Sequence, residues 1–72
     1  MDIVNIKTDF IKLDSLLKFA ALVATGGEAK YVISEEMVKL NGEVCTMRGK
    51  KIYPGDVVSF SGQDIKIEKD EA

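Results

Sequence analysis

Hydrophobic and polar residues follow two different periods along this chain, and the change of period predicts its fold class. Near the N-terminus, Ile3, Val4 and Ile6 are β-formers in a short segment, which predicts a first strand. Apolar residues then recur at steps of three and four, which is typical of the buried stripe of a helix. This stripe consists of Leu13, Leu16, Leu17, Ala20, Ala21 and Ala24.

Two adjacent glycines, Gly26-Gly27, follow the stripe, and we expect them to end the first helix in a left-handed turn. A second helix is predicted to begin at once, because Thr25 and Glu28 have the spacing of a capping box. Each side chain would then bind the backbone N–H of the other residue. Two helices with almost no loop between them would cross sharply. The buried side of the second helix is predicted to be Ala29, Val32 and Ile33.

After the second helix the period changes to two, which indicates strands. Asn41-Gly42 between β-formers predicts a hairpin with a type I′ turn. Further turns are expected around Pro54-Gly55 and Ser61-Gly62, with strands at residues 57–60 and 65–67 between and after them. We expect the charged residues 68–72 to be frayed. One strand, two helices and then several strands predict a single α+β domain over residues 1–72.

The residue counts argue against catalysis and metal binding. The chain has no histidine and one cysteine, Cys45, which is interpreted as a small strand residue. A zinc site of the usual kind and a Ser–His or Cys–His pair are therefore not expected. Glu35 and Glu36 are adjacent on a helix, where their side chains point apart. We expect no enzyme activity, no metal and no cofactor.

The glycine pair also fails as a nucleotide-binding loop. A Walker loop needs Gly-Lys followed by Ser or Thr, but Lys30 stands three residues after Gly27 and precedes Tyr31. We therefore expect no small-molecule substrate. No run of about 18 apolar residues is present, and the first residues do not resemble a signal peptide. The expected location is the cytoplasm, with no membrane association, and the expected state is a monomer.

Charge is distributed unevenly along the chain, although the net charge is only −2. Residues 12–51 hold seven bases and five acids, a net +2, whereas residues 52–72 hold two bases and five acids, a net −3. A basic face on an acidic protein is therefore possible. The candidate residues are Lys12, Lys30, Arg48, Lys50 and Lys51, with Lys18 and Lys39 as weaker candidates.

Two of these placements point to an anionic ligand. Lys30 is expected in the first turn of the second helix, where a cation opposes the helix dipole. Arg48, Lys50 and Lys51 crowd a glycine-containing stretch, here called the basic loop (residues 48–51), where like charges repel unless an anion is present. The phosphates of RNA or DNA fit such a set, because backbone contacts need cations rather than a base-specific pocket.

The ordered motifs of the chain resemble the S4 RNA-binding domain family. The family pattern begins with Arg-Leu-Asp and ends with Val-x-Val-Asn-Gly, and the similar residues here are Lys12-Leu13-Asp14, Leu17, Ala29, Ile33, Val38 and Leu40-Asn41-Gly42. The later Tyr53-Pro54-Gly55-Asp56-Val57-Val58 is similar to the closing motif of that family. The resemblance covers about residues 10–60. The chain resembles more closely the small free-standing bacterial S4 proteins of the YaaA/YbcJ type, in the segments Gly26-Gly27-Glu28-Ala29-Lys30, Asn41-Gly42-Glu43-Val44 and Arg48-Gly49-Lys50-Lys51.

This resemblance implies an S4-like αL motif, which is two short helices followed by a β-hairpin, packed on a small, mainly antiparallel sheet. It also implies non-catalytic binding of structured RNA, with ribosomal RNA or the ribosome as the expected partner. The usual glycine after the second helix is replaced by Glu36. If Glu36 takes φ > 0, we expect strain of about 1 kcal/mol. Recognition should be mainly of RNA shape, because Tyr31 and Tyr53 are expected to be partly buried.

A second hypothesis remains open from the charge distribution. The acidic C-terminal segment could bind a basic partner, which would make the chain a protein-interaction module or a small assembly factor. Deleting residues 68–72 would separate the two hypotheses, because only the second needs those residues.

Overall fold

The computed structural model describes residues 1–70, and these residues form an α+β fold. The two helices are α1 (Leu13–Phe19) and α2 (Gly26–Ser34). The strands are β1 (Asp2–Ile6), β2 (Ile11–Lys12), β3 (Val38–Leu40), β4 (Glu43–Val44), β5 (Lys51–Ile52), β6 (Val57–Phe60) and β7 (Gln63–Lys69). The predicted class, two short helices followed by a hairpin on a small sheet, is confirmed. Neither helix in this part of the chain is long and apolar enough to cross a membrane.

Five strands form one sheet in the order β1-β7-β6-β3-β4. All neighbours in it are antiparallel except β1 and β7, which run parallel, so the sheet is mainly antiparallel as expected. The last strand in sequence, β7, lies between β1 and β6. The short strands β2 and β5 pair with each other in a separate antiparallel ribbon.

The predicted turns have the backbone angles that their sequences require. Asn41 and Gly42 have φ values of 52° and 87°, which confirms the type I′ turn between β3 and β4. Ser61 and Gly62, with φ values of 55° and 78°, join β6 to β7 in the same way. Gly55, after Pro54, has φ 98°, which fits the third position of a type II turn.

The core lies where the helices pack on the sheet and on the ribbon. The predicted helical stripe is buried at Leu13, Leu16 and Leu17, which have no exposed surface. None of the buried side chains of residues 1–70 is polar or charged. The remaining core residues are Ile6, Val23, Ala29, Val32, Ile33, Val38, Ile52, Val58, Ile65 and Ile67.

The end of α1 differs from the prediction. The helix ends at Phe19, and Ala21 takes the left-handed conformation with φ 59° in place of the glycine pair. The N–H groups of Ala21 and Leu22 donate to the carbonyls of Lys18 and Leu17, at 3.0 and 2.9 Å. This is a Schellman ending, which satisfies carbonyls that the helix leaves unpaired.

Residues 20–25 therefore form a connection between the helices, and the expectation of almost no loop is wrong. Val23 in this connection is buried, whereas Ala21 and Ala24 of the predicted stripe are exposed. Burying a valine contributes about 1.5–3 kcal/mol. A left-handed alanine costs roughly 1–2 kcal/mol. The burial of Val23 thus offsets the cost of the left-handed Ala21.

Thr25 is the N-cap of α2 as predicted, but one of the two capping hydrogen bonds has a different donor. Thr25 Oγ1 accepts a hydrogen bond from the Glu28 N–H at 3.1 Å. Glu28 Oε1 accepts from the Ala24 N–H at 2.7 Å, not from the N–H of Thr25 as predicted. At the other end Glu36 has φ 61°, so the condition for strain of about 1 kcal/mol at this residue is met. The Met37 N–H donates to Val32 O at 3.0 Å.

The C-terminal segment is more ordered than predicted. Strand β7 extends to Lys69, whose Nζ forms a salt bridge with Asp9 Oδ1 at 2.9 Å. The Asp70 N–H donates to Ile6 O at 2.7 Å. The expected fraying is therefore wrong for residues 68–70, and residues 71–72 lie outside the described part of the chain. The deletion of residues 68–72 would remove part of a central strand, so it cannot separate the two functional hypotheses.

Candidate nucleic-acid interface

The N-terminus of α1 fixes the backbone of the basic loop. Lys12 is the N-cap residue, and its side chain makes no capping hydrogen bond. The Leu13 N–H instead donates to Lys50 O at 2.9 Å, and the Asp14 N–H donates to Arg48 O at 3.1 Å. The first N–H groups of a helix have no partner within the helix. Because the loop supplies the missing acceptors, Arg48 and Lys50 are held beside Lys12.

The β2–β5 ribbon places two lysines opposite each other. Lys12 pairs with Lys51, and Ile11 pairs with Ile52. Ile52 is fully buried and Ile11 packs against the core, so the two lysines project to the solvent side of the ribbon. Like charges directly opposite on paired strands destabilise a sheet by up to about 1 kcal/mol. The ribbon therefore presents a local excess of positive charge at a cost in stability.

Two aromatic rings flank this lysine pair. Phe10 precedes β2 and Tyr53 follows β5, and their ring centroids lie 5.9 Å apart at an interplanar angle of 50°. Lys51 Nζ lies 4.9 Å from the centroid of the Phe10 ring. We call Phe10, Lys12, Lys51 and Tyr53 the aromatic–basic patch.

Both tyrosines keep a large exposed surface, which the expectation of partial burial did not include. Tyr31 is 61% exposed and Tyr53 is 48% exposed. The premise that the chain lacks exposed aromatic rings for stacking therefore fails. Phe10, which was not singled out from the sequence, is partly buried beneath Lys51.

Lys30 lies further from the helix N-terminus than predicted. It is the fifth residue of α2, beyond the first turn, so the dipole opposes its charge less than expected. Lys18 of α1 reaches the start of α2, since its Nζ lies 3.8 Å from the position that a Cβ at Gly26 would take. Gly26 and Lys30 are one turn apart on the same face of α2. The Lys18 side chain therefore lies between α1 and the first turn of α2.

None of the five predicted cations has a carboxylate partner in residues 1–70. The salt bridge in this part of the chain joins Lys69 to Asp9. The cations, all exposed, are Lys12, Lys30, Arg48, Lys50 and Lys51. Lys39 lies in β3 opposite Ser59, on the side of the sheet away from buried Val38. The structure brings the backbone of four of the predicted cations together, namely Lys12, Arg48, Lys50 and Lys51, whereas Lys30 lies on a different element, α2.

The aromatic members of the patch had a sequence signal that composition alone does not give. Phe10-Ile11-Lys12 and Lys51-Ile52-Tyr53 are mirror-image tripeptides with an isoleucine between an aromatic and a cation. In the antiparallel register Ile11 faces Ile52 and Lys12 faces Lys51. Because side chains alternate along a strand, the aromatic and basic side chains lie on the side opposite the isoleucines. Each strand has only two residues, which is too short for the period of two to predict the pairing.

The comparison with known proteins identifies the family. The S4 domain family model matches residues 4–68, which is most of the chain. The chain belongs to the S4 domain family. Among curated S4 relatives, RlbA of Bacillus subtilis (strain 168), named as a probable ribosome maturation protein, is 42% identical over 59 residues. The matched region covers 82% of this chain and 83% of RlbA.

A second relative links the S4 domain assignment to a solved structure. YbcJ of Escherichia coli (strain K12), provisionally named as an RNA-binding protein, is 36% identical over 61 residues, which cover 85% of this chain and 87% of YbcJ. Its solution structure, described as containing an αL motif involved in RNA binding, superposes with a TM-score of 0.72 at 33% identity. The superposition covers 94% of this chain and 87% of the YbcJ chain. The S4-like fold expected from the sequence is therefore confirmed.

Proposed function

We propose that this S4 domain binds structured RNA without catalysis, through phosphate contacts from one basic face. The observation that carries the proposal is that Lys12 and the basic loop, which includes Lys51, lie together at the N-terminus of α1. These cations have no carboxylate partner within residues 1–70, and Lys12 faces Lys51 directly. A polyanion would neutralise the repulsion that the fold otherwise retains.

The names of the relatives support RNA as the polyanion. RlbA is named for ribosome maturation and YbcJ for RNA binding. We infer that ribosomal RNA, in a mature ribosome or in a precursor, is the partner. The contacting residues are Lys12, Lys30, Arg48, Lys50 and Lys51, with Lys18 added because it lies beside Gly26 between α1 and α2.

The salt dependence of binding tests the phosphate contacts. If five phosphates are neutralised, the logarithm of the affinity should fall with the logarithm of the salt concentration at a slope of about −3.5 to −4.5. Between about 50 and 200 mM KCl the affinity for bacterial ribosomal RNA should fall roughly 100- to 500-fold. A salt-insensitive affinity would contradict the proposal.

Charge reversal locates the contacts on the surface. Lys50→Glu and Lys30→Glu should each weaken binding and make the salt slope shallower by about 0.7–0.9. Lys7→Glu is the matched control, because Lys7 is exposed and lies outside the proposed set. Equal losses in all three variants would indicate an effect of net charge alone. RNA crosslinking in cells, followed by sequencing, would identify the bound RNA.

The protein-interaction hypothesis has a separate test that leaves β7 intact. Asp64 and Glu68 are exposed, and both lie in β7. Replacing them with asparagine and glutamine removes two negative charges without shortening the strand. RNA affinity should be unchanged or higher in this variant, whereas capture of a basic protein partner would be lost if the acidic segment were the binding surface.

A further inference from the structure

The aromatic–basic patch has a chemistry that phosphate binding does not use. Its two strands present Lys12 opposite Lys51, and one residue outward they present Phe10 next to Tyr53. Residues two apart on a strand are separated by about 6.6 Å. The aromatic pair and the lysine pair therefore lie within the span of a single nucleotide. A purely electrostatic surface would have no need of exposed aromatic area there.

Of the two rings, Tyr53 is the one available to a ligand. The Phe10 ring is partly buried and Lys51 Nζ lies over it. Tyr53 is about half exposed. Tyrosine offers a rigid, amphipathic surface with few rotatable bonds, so little conformational entropy is lost when a ligand packs against it.

The backbone around Tyr53 is held in place before any ligand binds. The Tyr53 N–H donates to Asp56 Oδ2 at 2.8 Å, and the Asp56 N–H donates to Tyr53 O at 3.0 Å. The turn is attached to β7, because the Gly55 N–H donates to Ile67 O at 2.7 Å. A ring on a fixed turn binds with a smaller ordering cost than a ring on a free loop.

We propose that the aromatic–basic patch binds one unpaired RNA base, which stacks on Tyr53 while Lys12 and Lys51 contact the phosphates beside it; this rests on the proposed RNA-binding function. Proteins that hold single-stranded nucleic acid combine aromatic platforms with cations along the backbone. Bases inside an RNA helix are already stacked, so a side-chain ring reaches them only in loops, bulges and ends. The preferred RNA is therefore a helix interrupted by an unpaired nucleotide.

The test compares two RNA hairpins that differ by one bulged nucleotide. Wild-type protein should bind the bulged hairpin more tightly than the fully paired one. Tyr53→Leu keeps an apolar side chain but removes the aromatic surface, and it should weaken binding to the bulged hairpin by about 5- to 150-fold. Its affinity for the paired hairpin should be unchanged, and Tyr53→Phe should behave as wild type with both.

A fluorescent base reports the stacking itself. With 2-aminopurine as the bulged nucleotide, binding of wild-type protein or Tyr53→Phe should quench the fluorescence, and saturating Tyr53→Leu should not. Because one variant is compared on two RNAs, a folding defect would lower both affinities together. Circular dichroism of Tyr53→Leu checks the fold directly.

Three outcomes would decide against the inference, and they can be told apart. If a folded Tyr53→Leu binds both hairpins as wild type does, or quenches 2-aminopurine fully, the base does not stack on Tyr53. If it loses affinity for both hairpins equally, the ring does not recognise an unpaired base. If wild-type protein binds neither hairpin nor ribosomal RNA, the proposed RNA-binding function fails first. Lys50→Glu should lower both affinities, which separates phosphate contacts from stacking.

Discussion

Replacing Ala21 with glycine is expected to stabilise the protein, although glycine near a helix usually does the opposite. Ala21 has φ 59° and is exposed. The left-handed conformation costs a residue with a Cβ roughly 1–2 kcal/mol. Glycine removes this cost. It also makes the unfolded chain more flexible, which cancels about 0.4–1 kcal/mol of the gain in stability. The free energy of unfolding should therefore rise by roughly 0.5–1 kcal/mol.

The neighbouring alanine gives a matched control of opposite sign. Ala20 has φ −82° and is half-buried against the core. Glycine at this position relieves no strain and removes a packed methyl group. The free energy of unfolding should fall by about 1 kcal/mol. The two variants have the same composition, and the substituted positions are adjacent.

Thermal unfolding followed by circular dichroism measures both changes. In a domain of this size a change of 1 kcal/mol shifts Tm by about 4–8 °C. Ala21→Gly should therefore raise Tm by roughly 2–8 °C, and Ala20→Gly should lower it by about 4–8 °C. If Ala21→Gly lowers Tm as much as Ala20→Gly does, the end of α1 is not strained and the reasoning is refuted.

Three further predictions concern stability. Lys12→Glu should replace the repulsion with Lys51 by an attraction and raise the free energy of unfolding by up to about 1 kcal/mol, while RNA affinity falls. If the free energy of unfolding falls as well when measured in low salt, the two lysines do not repel each other in the native protein. Asn41→Ala should cost about 3 kcal/mol in urea unfolding, because Asn41 has φ 52° and its side chain bonds the Val57 N–H and Asp56; a loss below about 1 kcal/mol would refute this account. Leu17→Ala should cost about 2–5 kcal/mol and leave little folded protein, since Leu17 is fully buried; native-like Tm in this variant would show that the core repacks.

Local chemistry made the turns and the second helix predictable. Asn41-Gly42 and Pro54-Gly55 have sequences that few other turn types accept, so their backbone angles follow from the residues. The start of α2 follows from the Thr25 side chain. The end of α1 could not be predicted in this way, because local propensity favours a glycine end, whereas the chain turns at Ala21 and buries Val23, which lies outside the predicted stripe.

The candidate site was predictable in its charges and not in its aromatic rings. The lysines and Arg48 lie in sequence segments that are crowded with positive charge, so they could be selected without coordinates. The exposure of Tyr53 depends on the pairing of two strands separated by 38 residues between Lys12 and Lys51. The parallel pairing of β1 with β7 also has no local signal, because it joins the two ends of the chain.

The position of β7 sets the order in which this protein can fold during synthesis. β1 is made before β7, its partner in the sheet, and both helices and the other strands lie between them in the sequence. While β7 remains inside the ribosome exit tunnel, the backbone N–H and C=O groups of β1 have no neighbouring strand to pair with. Ribosomes add about 5–20 residues per second, so the nascent chain spends seconds with an incomplete sheet. We expect the domain to reach its native state only after β7 has left the exit tunnel, and a stalled chain lacking β7 should stay sensitive to protease.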